Sequence, residues 1–203
     1  LGRIDVVVSN AGYGLFGAAE EADDGQIERQ IATNLTGSIQ LIRAALPHLR
    51  DQGGGRIVQV SSEGGQMAYP NFSLYHATKW GIEGFVESVA REVAPFGIEF
   101  LIVEPGPTET HFAAGLVRAR PLDCYEDTPA GDVRRALASG SFPVKGDAGR
   151  TVEAVIATVD AQRPPFRLTL GSTAYASIKE ALAGRLTALE AQKATGLSAD
   201  RDE

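Results

Sequence analysis

The 203 residues carry 26 acidic against 19 basic side chains, a formal net charge of -7, and 43% of them are hydrophobic. That balance suits one domain with a sizeable core, and it argues against nucleic acid as a partner, since a phosphate-tracking surface needs an excess of Lys and Arg. The single cysteine, Cys124, cannot form an internal disulfide, His48, His76 and His111 lack metal-ligand spacing, and the apolar runs fall short of the about eighteen residues of a membrane span, so a metal-free cytoplasmic protein without a membrane partner is expected.

In chain order, IDVVVSNAG (4–12) is a short β-branched run ending in Asn and Gly, the pattern of a buried parallel strand with a turn at its carboxyl end. Ile27, Ile31, Leu35, Ile39, Ile42 and Leu46 then recur every three or four residues and predict a helix over 24–49. Gly53, Gly54 and Gly55 precede a strand instead of joining a strand to a helix, so they read as a turn and not as a phosphate cradle. GRIVQVSS (55–62) is the second strand, a helix follows over 73–94 and stops at Pro95 and Gly97, and IEFLIVEPG (98–106) is the third strand. From 107 to 146 the pattern breaks into short pieces, too long for an ordinary connection and therefore a candidate substrate lid. A helix over 148–161, a strand FRLTLG (166–171) and a helix over 172–194 complete a single α/β domain, 1–203, with a parallel sheet of about four strands. Ligands of such sheets gather outside the carboxyl ends of the strands, which here are SNAG, VSSEGG and EPGPTET.

Two stretches, YHATK (75–79) and YASIK (175–179), set a tyrosine four residues before a lysine on a predicted helix. For a phenol to exchange protons near neutrality its pKa must fall by about three units, roughly 4 kcal/mol. An ammonium about 4 Å away at an effective dielectric of about 20 supplies that much, and a lysine one helical turn on lies about 6 Å along the axis on nearly the same face. Either pair could equally be a solvated helix face. A third group separates them: Ser62 stands thirteen residues before Tyr75, whereas Gln162 stands thirteen before Tyr175. A Ser-His-acid hydrolase using Ser62 with His76 or His111 is a further reading, weakened by the lack of a G-x-S-x-G elbow.

The ordered series VSNAG, TNLTG, GRIVQVSSEGG, YHATKWGIEGF and VEPGPTET resembles the short-chain dehydrogenase/reductase family, closely over about 4–112 and in outline beyond. The resemblance implies a Rossmann-like, doubly wound parallel sheet and hydride transfer between a nicotinamide cofactor and a secondary alcohol or carbonyl compound. It makes Tyr75 the general acid/base, Ser62 the partner of the substrate oxygen, Lys79 the group that lowers the tyrosine pKa and holds the nicotinamide ribose, and Asn34 the support of a water-mediated proton relay. Asn10, Ala11 and Gly12 would pass the adenosine side of the cofactor, with Ser9 where the family commonly has Asn, and Pro105, Gly106 and Thr110 would face the nicotinamide and its phosphates.

The family's Gly-rich dinucleotide turn and its βαβαβ half do not appear, so the sequence is expected to be an N-terminally incomplete piece of a longer enzyme, and the activity of these residues alone is in question. The choice between NAD and NADP goes with that half, with a slight inclination to NADP. Phe112, Leu116, Val117 and Phe142 in the lid suggest an apolar substrate or simply core packing, and the helices over 24–49 and 73–94 resemble those that pair across subunits, so a homo-oligomer is expected. The rival reading is a family relative that has lost turnover and serves as a binding or scaffold module.

Overall fold

The structure, a computed structural model, describes residues 2–201. In chain order its elements are β1 (Val6–Ser9), β2 (Leu15–Phe16), α1 (Asp24–Ile31), α2 (Gly37–Asp51), β3 (Gly55–Val60), α3 (Ser73–Val93), β4 (Ile98–Pro105), β5 (Val117–Arg118), α4 (Pro129–Ala138), α5 (Ala148–Val159), β6 (Arg167–Leu170), α6 (Ser172–Ala191) and α7 (Lys193–Leu197). The continuous apolar runs become the four parallel strands of the main sheet, in the order β1-β3-β4-β6, with Val8 opposite Val58, Val58 opposite Leu101 and Val103 opposite Leu168. This is the Rossmann-like α/β arrangement that the strand–helix alternation predicts, and it brings every segment that follows a sheet strand to one end of the sheet.

Alternating residues of β3 and β4 face two different helical layers. On one face α2 and α3 lay Ile42, Leu49, Ile82, Val86 and Val89 against Ile57, Phe100 and Ile102. α3 can do this because Tyr75, Lys79, Ile82, Val86, Val89 and Val93 recur at helical spacing along one buried stripe. It ends where Pro95 cannot continue the ladder and Gly97 takes the left-handed conformation, φ 70°. On the other face α5 brings Val155 and Val159 to Val58, Leu101 and Val103, whereas Val6 and Val8 of edge strand β1 stay exposed. Ile57 is fully buried, and truncating such a residue to Ala costs about 2–5 kcal/mol.

The structure departs from the sequence pattern in three places. The helix expected over 24–49 is interrupted: α1 ends at Ile31, and a π-turn, Ala32–Thr36, precedes α2. The strand expected to be buried is β1, whose Val6 and Val8 are exposed, while Asn10 to Gly12 leave the ladder as the expected turn. Segment 107–146 contains β5, which pairs in parallel with β2; a two-residue strand has no periodicity from which to be read.

That segment is tied to the body of the domain by buried polar contacts. Glu21 accepts the Ala18 amide and the Leu122 amide, each at 2.8 Å, and the Arg134 guanidinium at 2.7 Å. Asn71, at a left-handed φ of 69°, donates to the Ala130 carbonyl at 2.6 Å. Among the described residues no helix is long and apolar enough to cross a membrane.

Candidate active site

The run SSEGG leaves β3 and folds tightly onto α3. Ser62 accepts the Gly64 amide at 3.1 Å and so caps the short turn Glu63–Gly65. The two glycines give the room for this approach: a Cβ on Gly64 would lie 2.6 Å from the His76 ring, and one on Gly65 would lie 1.8 Å from Glu83 Oε1. The result is that Ser62 sits beside the Tyr75 hydroxyl, thirteen residues on in the first turn of α3.

Tyr75 is 8% exposed, with Phe16, Phe72 and Leu116 around it and the Phe112 ring 5.6 Å away. Burial pushes its phenol up to about 12, the Ser62 hydroxyl pulls it down, and the Glu63 charge pushes it further up. Lys79 Nζ lies 5.5 Å from the Tyr75 ring centroid and donates to the Val60 carbonyl at 3.0 Å. Burial draws the ammonium down to about 8 and the Glu83 carboxylate opposes that. The expected lowering of the tyrosine by its lysine is therefore not what this geometry produces: the ammonium is directed to a backbone carbonyl, and desolvation dominates the phenol. The second pair is differently placed. Tyr175 is 64% exposed, Lys179 Nζ stands 5.9 Å from its ring, and Gln162 is exposed, so YASIK is a surface pair.

The remaining expected residues fall at the same end of the sheet with unequal surroundings. Asn34 is buried in the π-turn, where its Oδ1 accepts the Tyr13 amide at 3.1 Å and its Nδ2 donates to the Tyr13 carbonyl at 2.8 Å. Its side chain thereby fixes the backbone after Asn10, Ala11 and Gly12, and a Cβ on Gly12 would press on Asn34 Oδ1 at 3.3 Å. Pro105 closes β4, and the Gly106 amide donates to Leu170 at 3.0 Å, which binds the turn to β6. Thr110 is exposed, and its hydroxyl accepts the Phe112 amide at 3.2 Å.

The hydrolase reading with His76 as base finds no support. Neither nitrogen of buried His76 has a hydrogen-bond partner, its ring lies edge-on to Tyr69 at 4.7 Å, and burial lowers its pKa to about 4. Sequence reasoning passed over Glu63 and Glu83, both buried against this site. For Glu83 a signal exists: it stands four residues after Lys79, on the stripe that carries Tyr75 and Lys79.

The short chain dehydrogenase family matches residues 1–121. Oxidoreductase BOA17 of Botryotinia fuckeliana is 35% identical over 173 residues, 85% of this chain and 63% of its own length. A 3-ketodihydrosphingosine reductase of Bacteroides thetaiotaomicron is 34% identical over 171 residues, 84% of this chain and 64% of its own length. The chain thus spans slightly less than two thirds of these relatives. A short-chain dehydrogenase structure from Streptomyces avermitilis superposes with a TM-score of 0.89 at 34% identity, covering 98% of this chain and 73% of that one.

Proposed function

Because the chain belongs to the short chain dehydrogenase family, we propose that it carries the catalytic half of a nicotinamide-dependent oxidoreductase acting on a secondary alcohol or carbonyl compound. The observation that carries this reading is the meeting of Ser62, Tyr75 and Lys79 at the carboxyl end of the sheet, buried on one side and flanked by the open backbones of 10–12 and 105–106. The nicotinamide end of a dinucleotide fits the donors present: Lys79 Nζ makes one hydrogen bond, to Val60, and so has N–H groups left for ribose hydroxyls. Asn10, Ala11, Gly12, Pro105, Gly106 and Thr110 would line the remainder.

Bound nicotinamide supplies or accepts the hydride. The chain's own residues handle the proton and the charge. A phenol held near 12 is fully protonated at neutral pH, so in the reducing direction Tyr75 donates its proton to the carbonyl oxygen as the carbon gains hydride. The Ser62 hydroxyl donates a hydrogen bond to that oxygen and stabilises the negative charge growing on it. Asn34 keeps the Tyr13 backbone in place with its side chain, and its backbone carbonyl, which accepts the Ser38 hydroxyl at 3.0 Å, would hold the water of a relay behind Lys79 with its second lone pair. Phe16, Phe72, Leu116 and Phe112 form an apolar wall next to Tyr75, consistent with an apolar substrate covered by a lid over 107–146. The Bacteroides relative is named a 3-ketodihydrosphingosine reductase, which makes 3-ketodihydrosphingosine the first compound to offer. Exposed Trp80, Leu41 and Phe96 on and beside α2 and α3 support a homo-oligomer.

The test is nicotinamide absorbance with NADP(H) and NAD(H) compared side by side, a ketone panel, and Tyr75→Phe against the parent. Turnover lost in Tyr75→Phe is expected. Equal turnover in a folded Tyr75→Phe would overturn the mechanism, and a folded parent that binds cofactor without turnover on any ketone would favour the binding-module reading.

A further inference from the structure

Three successive residues at the end of β3 are each held by a different turn of α3. Lys79 donates to the Val60 carbonyl at 3.0 Å, the Ser61 hydroxyl donates to Glu83 Oε1 at 2.5 Å, and Ser62 stands beside Tyr75. Glu83 is the centre of this arrangement. It is 2% exposed, and its Oε2 accepts Gln66 Nε2 and Arg167 Nη1, each at 2.5 Å. The absent side chain at Gly65 makes the space for that carboxylate, since a Cβ there would stand 1.8 Å from Oε1. Arg167, on β6, also reaches Glu104 on β4 and Glu87 on α3, each at 2.5 Å, and Thr169 donates to Glu104 at 2.9 Å. One guanidinium therefore meets three carboxylates, and the excess of negative charge lies one helical turn beyond Lys79.

We propose that Glu83 is a positioning residue of this site: it clamps the end of β3 through Ser61 so that Ser62 faces Tyr75, and it serves as the counter-charge to the buried Lys79 ammonium. A buried ammonium bonded to a single neutral carbonyl has little reason to stay charged. Glu83 opposes the burial that draws Lys79 down. The groups facing the pair from every packed element are Tyr75 and Glu87 on α3, Ser61, Ser62 and Glu63 after β3, Gln66, Glu104 on β4 and Arg167 on β6. Of these, Arg167 is the sole cation, and it is divided among three carboxylates. The consequence for turnover rests on the oxidoreductase reading; the consequence for the lysine does not.

The experiment is a pH titration of the chain labelled with 13Cε-lysine and followed by NMR. There are four lysines, Lys79, Lys145, Lys179 and Lys193, so Lys79→Arg assigns the signal. In Glu83→Gln the Lys79 midpoint should fall by about one unit, and in Glu83→Asp, which keeps the charge but draws it back by a methylene, by less. An unmoved midpoint in folded Glu83→Gln overturns the counter-charge, and should that variant not fold, an unmoved midpoint in the neutral, similarly sized Glu83→Met does the same. Ser61→Ala tests the clamp: kcat should fall about tenfold with KM and the Lys79 midpoint unchanged, and an unchanged kcat overturns it. If the parent binds nicotinamide cofactor yet shows no turnover, the oxidoreductase reading fails while the titration still decides the role of Glu83.

Discussion

YHATK and YASIK share a spacing, a helical setting and nearly the same lysine-to-ring distance, 5.5 Å against 5.9 Å. They differ in everything around them. Tyr75 is 8% exposed and Tyr175 64%; Tyr75 has Ser62 beside it. Burial removes the water that would otherwise screen every charge and satisfy every donor, so in the first pair each neighbour shifts the chemistry of the phenol. In the second the solvent does most of that work. The spacing of two residues supplies an opportunity, and the tertiary surroundings decide whether it is used.

The comparison breaks most sharply under removal of the two hydroxyls. Tyr75→Phe should reduce turnover by about 10²–10⁴-fold, the range of a lost general acid, and Tyr175→Phe should leave it within about twofold. Both are read from nicotinamide absorbance at saturating cofactor. Comparable losses in the two variants would mean that the burial contrast has been misjudged as the deciding feature.

The second contrast lies in the residue after each tyrosine, His76 in one case and Ala176 in the other. His76 is buried and neutral, with its pKa lowered from 6.5 to about 4 by burial. Between those values the unfolded chain binds a proton that the folded chain refuses, so stability is lost as pH falls from about 6.5 to about 4 and changes no further below. The whole window is worth up to about 3 kcal/mol. His76→Leu should flatten that limb in denaturant melts taken across the window, and Ala176→His, at an exposed site, should add no comparable limb. An unchanged acid limb in His76→Leu would assign it to carboxylates elsewhere.

Most of the sheet and its helices were legible because β3, β4 and α3 are long and strongly patterned: Ile57 and Val58, or Ile82, Val86 and Val89, declare their faces through period alone. Ser62, Tyr75 and Lys79 were legible through ordered motifs. What escaped depended on contacts between distant segments. The π-turn at Asn34 comes with two hydrogen bonds to Tyr13, a distant segment, and nothing in ATNLT announces it. The β2–β5 pair joins Leu15 to Val117 across a hundred residues. The raised phenol of Tyr75 reflects how deeply Phe16, Phe72 and Phe112 enclose it, a quantity that the YHATK spacing does not contain. Glu83 could have been noticed one turn after Lys79, yet its meaning comes from Arg167 on β6, eighty-four residues on.

The smallest expected effect is also a sharp one. An exposed lysine over an exposed ring contributes about 0.5–1 kcal/mol at most, and surface substitutions away from special features stay within about 0.5 kcal/mol. Tyr175→Ala and Lys179→Ala should therefore shift the denaturant midpoint very little, singly or together, since the first turns of α6 are anchored by buried Ala174 and Ile178 instead. A loss above about 1 kcal/mol that grows with protein concentration would mean that Tyr175, Leu182, Leu186 and Leu189, all exposed along α6 in the single chain, are covered in an assembly. In that case the second pair would be an interface element, and the contrast with YHATK would be one between a site and a contact surface rather than between a site and open solvent.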